Sequence, residues 1–394
     1  MKRVIALILS LLFLCSCAKT DEIKKESTEE INISHEIRCV WLSIYDMAVL
    51  QGLSEGGFRK KAESIFKDIN EKGFNHVFVQ TRPYSDAFYE SEIFPWSKYS
   101  SGQQGKSPGY DVLGIFVDLA HKYSLKIHAW INPYRIAGLT SEMENLSDNN
   151  PAKIMYQNTQ TDIYFGNNGI FYNPASERVR KLILDGIREI IEKYNVDGIH
   201  IDDFFYPTTE KEIDKKEYDE YKNNSGQMTL SEFRINQVNA FVTGMYSLVK
   251  SKNQSIIVSI SPSADIEKNK TTLYADVEKW SSEDGFCDWI IPQIYYGFQN
   301  ETMPFEKILN EWKTIATNKN IKLIVGLGFY KVGQTDFYAG SGKNEWIENE
   351  DVLSRQLKLL RDKKCGGFAV FSYGSILSSD GREWENFKTV ISSS

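Results

Sequence analysis

Two adjacent carboxylates close an otherwise apolar run at Val196-Asp197-Gly198-Ile199-His200-Ile201-Asp202-Asp203-Phe204-Phe205-Tyr206-Pro207. A carboxylate at the end of such a run is desolvated or paired. Either condition moves its pKa, which acid–base or nucleophilic work requires. The plain alternative is that the pair caps the following loop or accepts backbone amides. Other apolar runs also end in polar groups: Gln80 and Arg82 in 75–82, His128, Trp130 and Asn132 in 126–132, and Gln293 and Tyr295 in 289–295.

Such residues converge only if the runs are strands of one sheet. Strand-like stretches at 38–44, 75–82, 126–132, 198–203, 255–261, 289–295, 322–329 and 367–372 alternate with helical patterns. The helices are expected at 58–72, 112–123, 176–194, 230–251, 273–283, 305–317 and 352–363, with a short last one around 384–391. Their apolar positions recur at three and four, as in Ile183, Ile187, Ile190 and Ile191. No glycine-rich dinucleotide turn follows the first strand, so an open doubly wound sheet is not required. The pattern predicts an α/β fold of the TIM type, a parallel eight-stranded (β/α)8 barrel whose site lies at the strand C-termini. Alternation places His128, Trp130 and Asn132 on the inner face, and with them His200, Asp202, Gln80 and Arg82.

The formal net charge of −7 argues against a nucleic-acid partner, which demands a basic face. Aromatic residues make up 13% of the chain, and many follow predicted strands, a placement that suits stacking on sugar rings. Core packing remains the default for any single ring. Lys2 and Arg3 precede an apolar run over 4–14 that is too short to span a bilayer and reads as a secretory signal. It ends in Leu14-Cys15-Ser16-Cys17, which resembles a bacterial lipobox with Cys17 as the acylated thiol; an ordinary cleaved signal is the alternative. Residues 1–17 are then signal peptide and lipobox, 18–34 a solvated tether, and 35–394 the barrel. The expected location is the cell envelope, with the chain lipid-anchored to a membrane. Cys39, Cys287 and Cys365 have neither metal-type spacing nor a disulfide framework and read as small buried side chains.

The sequence resembles the glycosyl-hydrolase-like family 10 of bacterial envelope proteins. The resemblance runs from about Arg38 to Ser372 and is carried by Arg38-Cys39-Val40-Trp41-Leu42, by Gln80-Thr81-Arg82-Pro83 with Asp86 and Tyr89, and by Pro95-Trp96-Ser97. Gly105-Lys106-Ser107-Pro108-Gly109-Tyr110-Asp111, His128-Ala129-Trp130-Ile131-Asn132-Pro133-Tyr134-Arg135 and Asn173-Pro174 continue it. The Asp197 to Asp203 segment, Ser261-Pro262 and Pro292-Gln293-Ile294-Tyr295 complete it. Members often carry Gly where Cys39 stands. The resemblance implies a barrel glycosidase acting on cell-wall or other extracellular polysaccharide, with peptidoglycan glycan strands as the first substrate to name.

Most glycosidases work with two carboxylates. Asp202 is the first candidate and Asp203 the second, with Asp86 or Asp265 as other sources of an acid. Where the substrate carries N-acetyl groups, its own acetamide oxygen can attack the anomeric carbon. By fold-level analogy with chitinase-like barrels, Tyr295 then holds a comparable place after the sixth strand. Arg82, Asn132, Arg135 and Gln293 are candidate substrate-positioning donors, and Trp41, Trp130 and Tyr295 candidate stacking surfaces. Asp86 and His200 complete the expected substrate-contacting set. Arg82 could instead neutralise Asp202 or Asp203, and Trp41 could fill the barrel. His128 and His200 read as a hydrogen-bonded core pair rather than metal ligands, and no metal or cofactor is expected. The rival class is an envelope lipoprotein that binds glycan without cleaving it. Oligomeric state is left open.

Overall fold

Period-two alternation in the strand-like runs builds a closed parallel barrel in the computed structural model, which describes residues 36–203, 205–379 and 381–393. The signal peptide, Cys17, the tether and Phe204 lie outside the described residues. The strands are β1 (Ile37–Leu42), β2 (His76–Arg82), β3 (Lys126–Ile131), β4 (Arg135–Ala137), β5 (Ile163–Gly166), β6 (Gly169–Tyr172), β7 (Gly198–Ile201), β8 (Ile257–Ile260), β9 (Trp289–Ile290), β10 (Lys322–Gly328) and β11 (Gly367–Phe371). Around the barrel the order is β1-β11-β10-β9-β8-β7-β3-β2, so each barrel strand lies beside the next in the chain. Helices cover the outside, as expected of eight βα units.

Alternation sorts the strand residues onto two faces. Val77, Val79, Ile127, Ala129, Ile131, Ile199, Ile201, Val258 and Ile260 join the cluster that includes Ile183, Ile187 and Ile190 of the helix Glu177–Lys193. Cys39, Trp41, Phe78, Trp130, Trp289, Ile291, Ile324 and Ala369 form a second cluster, the plug inside the barrel. Burying each large apolar side chain stabilises the fold by roughly 1.5–3 kcal/mol. Cys39 and Cys287 are buried free thiols and Cys365 is half-buried.

Three stretches depart from expectation. β9 is shorter than predicted because Pro292 has no N–H for the ladder; beyond it the backbone pairs through isolated bridges of Gln293 to Ser263 and Gly326. Between β3 and β7 a three-stranded antiparallel sheet is inserted, in the order β4-β6-β5, outside the strand–helix alternation that marks the barrel strands. The helix expected over 273–283 starts only at Val277, where Asp276 caps it by accepting from the Lys279 N–H.

At the N-terminal rim Arg361 holds both ends of the barrel. Its Nε and Nη2 each donate to Glu36 at 2.9 Å, and its Nη1 donates to the carbonyls of Val390 (2.6 Å) and Ser393 (3.2 Å). Among the described residues no helix is long and apolar enough to cross a membrane.

Candidate active site

Asp202 and Asp203 follow β7 directly, at the C-terminal end of the barrel strands. Asp202 is 5% exposed, and its Oδ2 accepts from the Trp130 indole Nε1 (3.2 Å) and from Asn132 Nδ2. The chain of contacts runs on: Gln80 Nε2 donates to Asn132 Oδ1 at 2.7 Å, and Gln80 Oε1 accepts from the Ile44 N–H at 2.9 Å. The loop after β1, β2 and the end of β3 therefore fix the orientation of one carboxylate. A carboxylate only accepts hydrogen bonds, and both of these donors are neutral.

Asp203 points elsewhere and keeps some solvent exposure. Burial raises its pKa, against the Gln293 hydrogen bond (Nε2 to Oδ1, 3.3 Å) and the positive charges of Lys268 and Arg135. Gln293 is held in turn by its bond to the Ser261 carbonyl at 3.0 Å. Tyr295 completes the group. Burial first, then the fields of Tyr330, Asp203 and Asp202, push its phenol well above the ordinary range, so it stays a neutral donor. Two glycines of β10 make room for it: a Cβ on Gly326 would stand 3.3 Å from the Tyr295 ring, and one on Gly328 2.9 Å from its Cβ. The site thus holds one carboxyl group fixed by two N–H donors, a second whose pKa burial raises, and a neutral phenol.

Arg135 lies on β4, its guanidinium stacked 4.7 Å over Tyr84 and donating to the Tyr84 hydroxyl at 3.2 Å. Asp86 is 1% exposed and lines a cavity of ≈130 Å³ together with Tyr84, Lys98, Gln104 and Glu142. Burial pushes its carboxyl up to about 6, against Ser97, Gln104, Lys98 and Arg82.

Several expected placements are corrected. Arg82 does not face the barrel interior: β2 carries a bulge between Gln80 and Arg82, and the extra residue sends Arg82 to the opposite face. There it lies 3.9 Å over the Phe94 ring, so close to the helix Glu177–Lys193 that a Cβ on Gly186 would stand 2.5 Å from its Nη1. Trp41, 1% exposed, is barrel filling rather than a stacking surface and donates to His200 Nε2 at 3.0 Å. His200 is fully buried, stacked 4.0 Å from Phe78, with its Nδ1 2.8 Å from Ser259 Oγ; burial lowers its pKa to about 3. It lies in the plug beneath the carboxylates, not against substrate. His128 bonds to His76 at 3.0 Å, so His128 and His200 are not partners of each other. Trp130, 5% exposed, positions Asp202 through its indole N–H. Asp265 caps the helix Ile266–Thr271 by accepting from the Lys268 N–H, which leaves it a structural acid. Among the described residues no three His, Cys, Asp or Glu side chains converge to hold a metal ion.

Sequence reasoning overlooked the anchor of the loop that follows Asp203. Arg234 and Asp214, both with fully buried side chains, make two bonds of 2.7 Å. Arg234 also donates to Tyr274 Oη and the Thr209 and Glu210 carbonyls, and Tyr206 Oη donates to Asp214 at 3.1 Å. The signal was an arginine among the buried apolar positions Phe233, Val238 and Phe241 of one helix.

The family model described as Glycosyl hydrolase-like 10 matches residues 36–341. The chain belongs to the glycosyl hydrolase-like 10 family. Among its curated relatives, Glycosyl hydrolase YngK of Bacillus subtilis (strain 168) is 30% identical over 83% of this chain and 67% of the relative. Glycosyl hydrolase DigH of Escherichia coli (strain K12) is 28% identical over 74% and 70%. The PgaB (BpsB) glycoside hydrolase domain from Bordetella bronchiseptica shares the fold at a TM-score of 0.63 and 10% identity, covering 91% of this chain and 99% of that domain. An α-L-fucosidase from Paenibacillus thiaminolyticus shares it at a TM-score of 0.57 and 11% identity, over 90% of this chain and 49% of that one. Glycosyl hydrolase-like 10 membership on a TIM-barrel fold supports a carbohydrate-active function.

Proposed function

We propose that this protein is a glycosidase of peptidoglycan glycan strands that works with help from the substrate's acetamide group. The observation that carries the reading is the unequal treatment of two neighbouring carboxyl groups: Asp202 is fixed by two N–H donors, whereas burial raises the pKa of Asp203 against the hydrogen bond from Gln293. In this reading Asp203 donates its proton to the glycosidic oxygen as the C–O bond breaks. The substrate's acetamide oxygen attacks the anomeric carbon, with Asp202 orienting its N–H and Tyr295 donating to its oxygen. Water, deprotonated by Asp203, then opens the cyclic intermediate and restores the Asp203 proton. Net retention of anomeric configuration follows, together with loss of activity as pH rises through the raised Asp203 pKa.

Purified protein should be incubated with intact sacculi and with peptide-free glycan strands, and the products resolved by mass spectrometry and their anomers by NMR. Shortened strands of retained configuration are expected, absent with Asp203→Asn. A protein that retains such strands without shortening them would be the non-catalytic glycan binder instead.

The anchor belongs to the same proposal. The Leu14-Cys15-Ser16-Cys17 pattern supports acylation at Cys17 and residence at an envelope membrane, where peptidoglycan is at hand. Cys17→Ser should move the protein from the membrane to the soluble fraction with the barrel's melting temperature unchanged; unaltered partitioning would end the claim.

A further inference from the structure

The loop after β10 carries an arrangement that the carboxylates do not explain. Phe337 and Tyr338 are neighbours in sequence and are 83% and 91% exposed. Large apolar side chains bared to water are usually found on mobile tips, yet this turn is tied at every side. Asp336 is buried, pairs with Lys331 at 2.6 Å, and accepts from the Tyr338 N–H at 3.3 Å, while the Ala339 N–H donates to its carbonyl at 3.0 Å. From outside, Asp336 N–H donates to the Lys343 carbonyl, Glu301 N–H to the Ala339 carbonyl, and Ser341 N–H to Glu301 Oε2. The two rings are therefore held out by a rigid support, and holding them there serves no packing purpose in the fold.

Their position says what they meet. β10 is parallel to its barrel neighbours, so this loop leaves at the rim that carries Asp202 and Asp203. The same loop begins with Tyr330, half exposed, whose ring stands edge-on to Tyr295 at 5.8 Å and feels the charge of Asp336. Tyr330 adjoins Lys331, whose ammonium pairs with Asp336 at the base of the Phe337–Tyr338 turn, so the turn is tied to the segment that packs on the phenol beside the carboxylates. Pyranose rings present a C–H face that packs on an aromatic face while their hydroxyls stay in water. Electron-rich faces attract those polarised C–H groups. An exposed apolar patch continuous with a binding site marks an extension of that site.

We propose that Phe337 and Tyr338 form an outer stacking platform for sugar rings of a long glycan chain, beyond the rings that span Asp202 and Asp203. The proposal rests on the glycoside reading for its ligand and needs no turnover for its test. The full-length double variant Phe337→Ala/Tyr338→Ala should be compared with the parent in two binding measurements. One is retention on long peptide-free glycan strands; the other is affinity for a tetrasaccharide cut from the same strands, by calorimetry. Retention of long strands should fall by on the order of tenfold or more, with tetrasaccharide affinity and melting temperature unchanged, because both rings are almost wholly exposed.

Equal loss for long and short ligands would overturn the platform, and so would unchanged retention of long strands. A parent that binds neither ligand would overturn it too. So would loss of binding to phosphatidylglycerol vesicles with glycan retention intact, since the rings would then serve a lipid surface. A parent that retains long strands but cuts none of them would sink the glycosidase reading alone, and the ratio of long to short binding would still decide the platform.

Discussion

Asp202 and Asp214 are both buried, both lie on the chain that follows β7, and are held by different chemistry. Asp214 takes two 2.7 Å bonds from the Arg234 guanidinium, which fixes its charge along with its position. Asp202 Oδ2 takes an indole N–H and a carboxamide N–H, which fix orientation and add no counter-charge of their own. The first arrangement suits a carboxylate that must never change; the second suits one that meets a charge developing in its ligand. Two arginines differ in the same way: Arg234 pairs with buried Asp214 and is structural, whereas the charge of Arg135 acts on Asp203 at the mouth.

Substituting each carboxylate network in turn gives the sharpest contrast. Asp202→Asn should lower turnover on glycan strands by about 100- to 10,000-fold, the range for a lost group acting in the transition state, with circular dichroism and melting unchanged. If Asp202→Asn instead melted early at full activity, the two carboxylates would have exchanged roles. Arg234→Met should destabilise the fold by about 3–5 kcal/mol, because it leaves Asp214 buried and unpaired. Chemical denaturation measures this, and an unshifted midpoint would remove Asp214 as the structural half of the contrast. Adding Asp214→Leu to that variant should restore part of the loss.

Asp86 provides a smaller and pH-dependent effect. Its carboxyl rises from the ordinary 3.8 to about 6 through burial, so the folded state favours the neutral form. The stability this gives is present below the unfolded pKa and is lost as pH rises through about 6, leaving a cost of about 3 kcal/mol at most. Asp86→Asn should therefore melt higher than the parent at pH 7.5, with the gain shrinking towards nothing near pH 4. A gain independent of pH would show that packing, not charge, distinguishes Asp86 from Asp202.

The barrel was legible because its strand-like runs alternate with helices that carry apolar stripes. Trp130, Asn132 and Asp202 fell on the inner face by period-two alternation alone. Arg82 did not, since one bulged residue reverses every later side chain and leaves no mark in the residue types. The β4-β6-β5 insertion escaped because β5 and β6 pair antiparallel across a two-residue link, so no helix separates them and the strand–helix alternation that marks the eight barrel strands is missing. His200 was placed on the correct face but at the wrong depth: alternation gives direction and carries no information on how far below the mouth a side chain ends, and of the two readings of Trp41 the structure bears out barrel filling. Gln80 was seen to point inward, but its tie to Asn132 needed coordinates. The leader and Cys17 are read from sequence alone.

Arg361 binds Glu36 with one edge of its guanidinium and the Val390 and Ser393 carbonyls with another, so the two ends of the barrel meet at one side chain. The chain is thereby nearly circular. A short Gly-Ser linker from Ser393 to Glu36 would make it so, and the sequence could then be opened afresh in an exposed loop without cutting the barrel. Because that junction lies at the rim opposite the carboxylates, a reporter domain fused there would leave the mouth unobstructed.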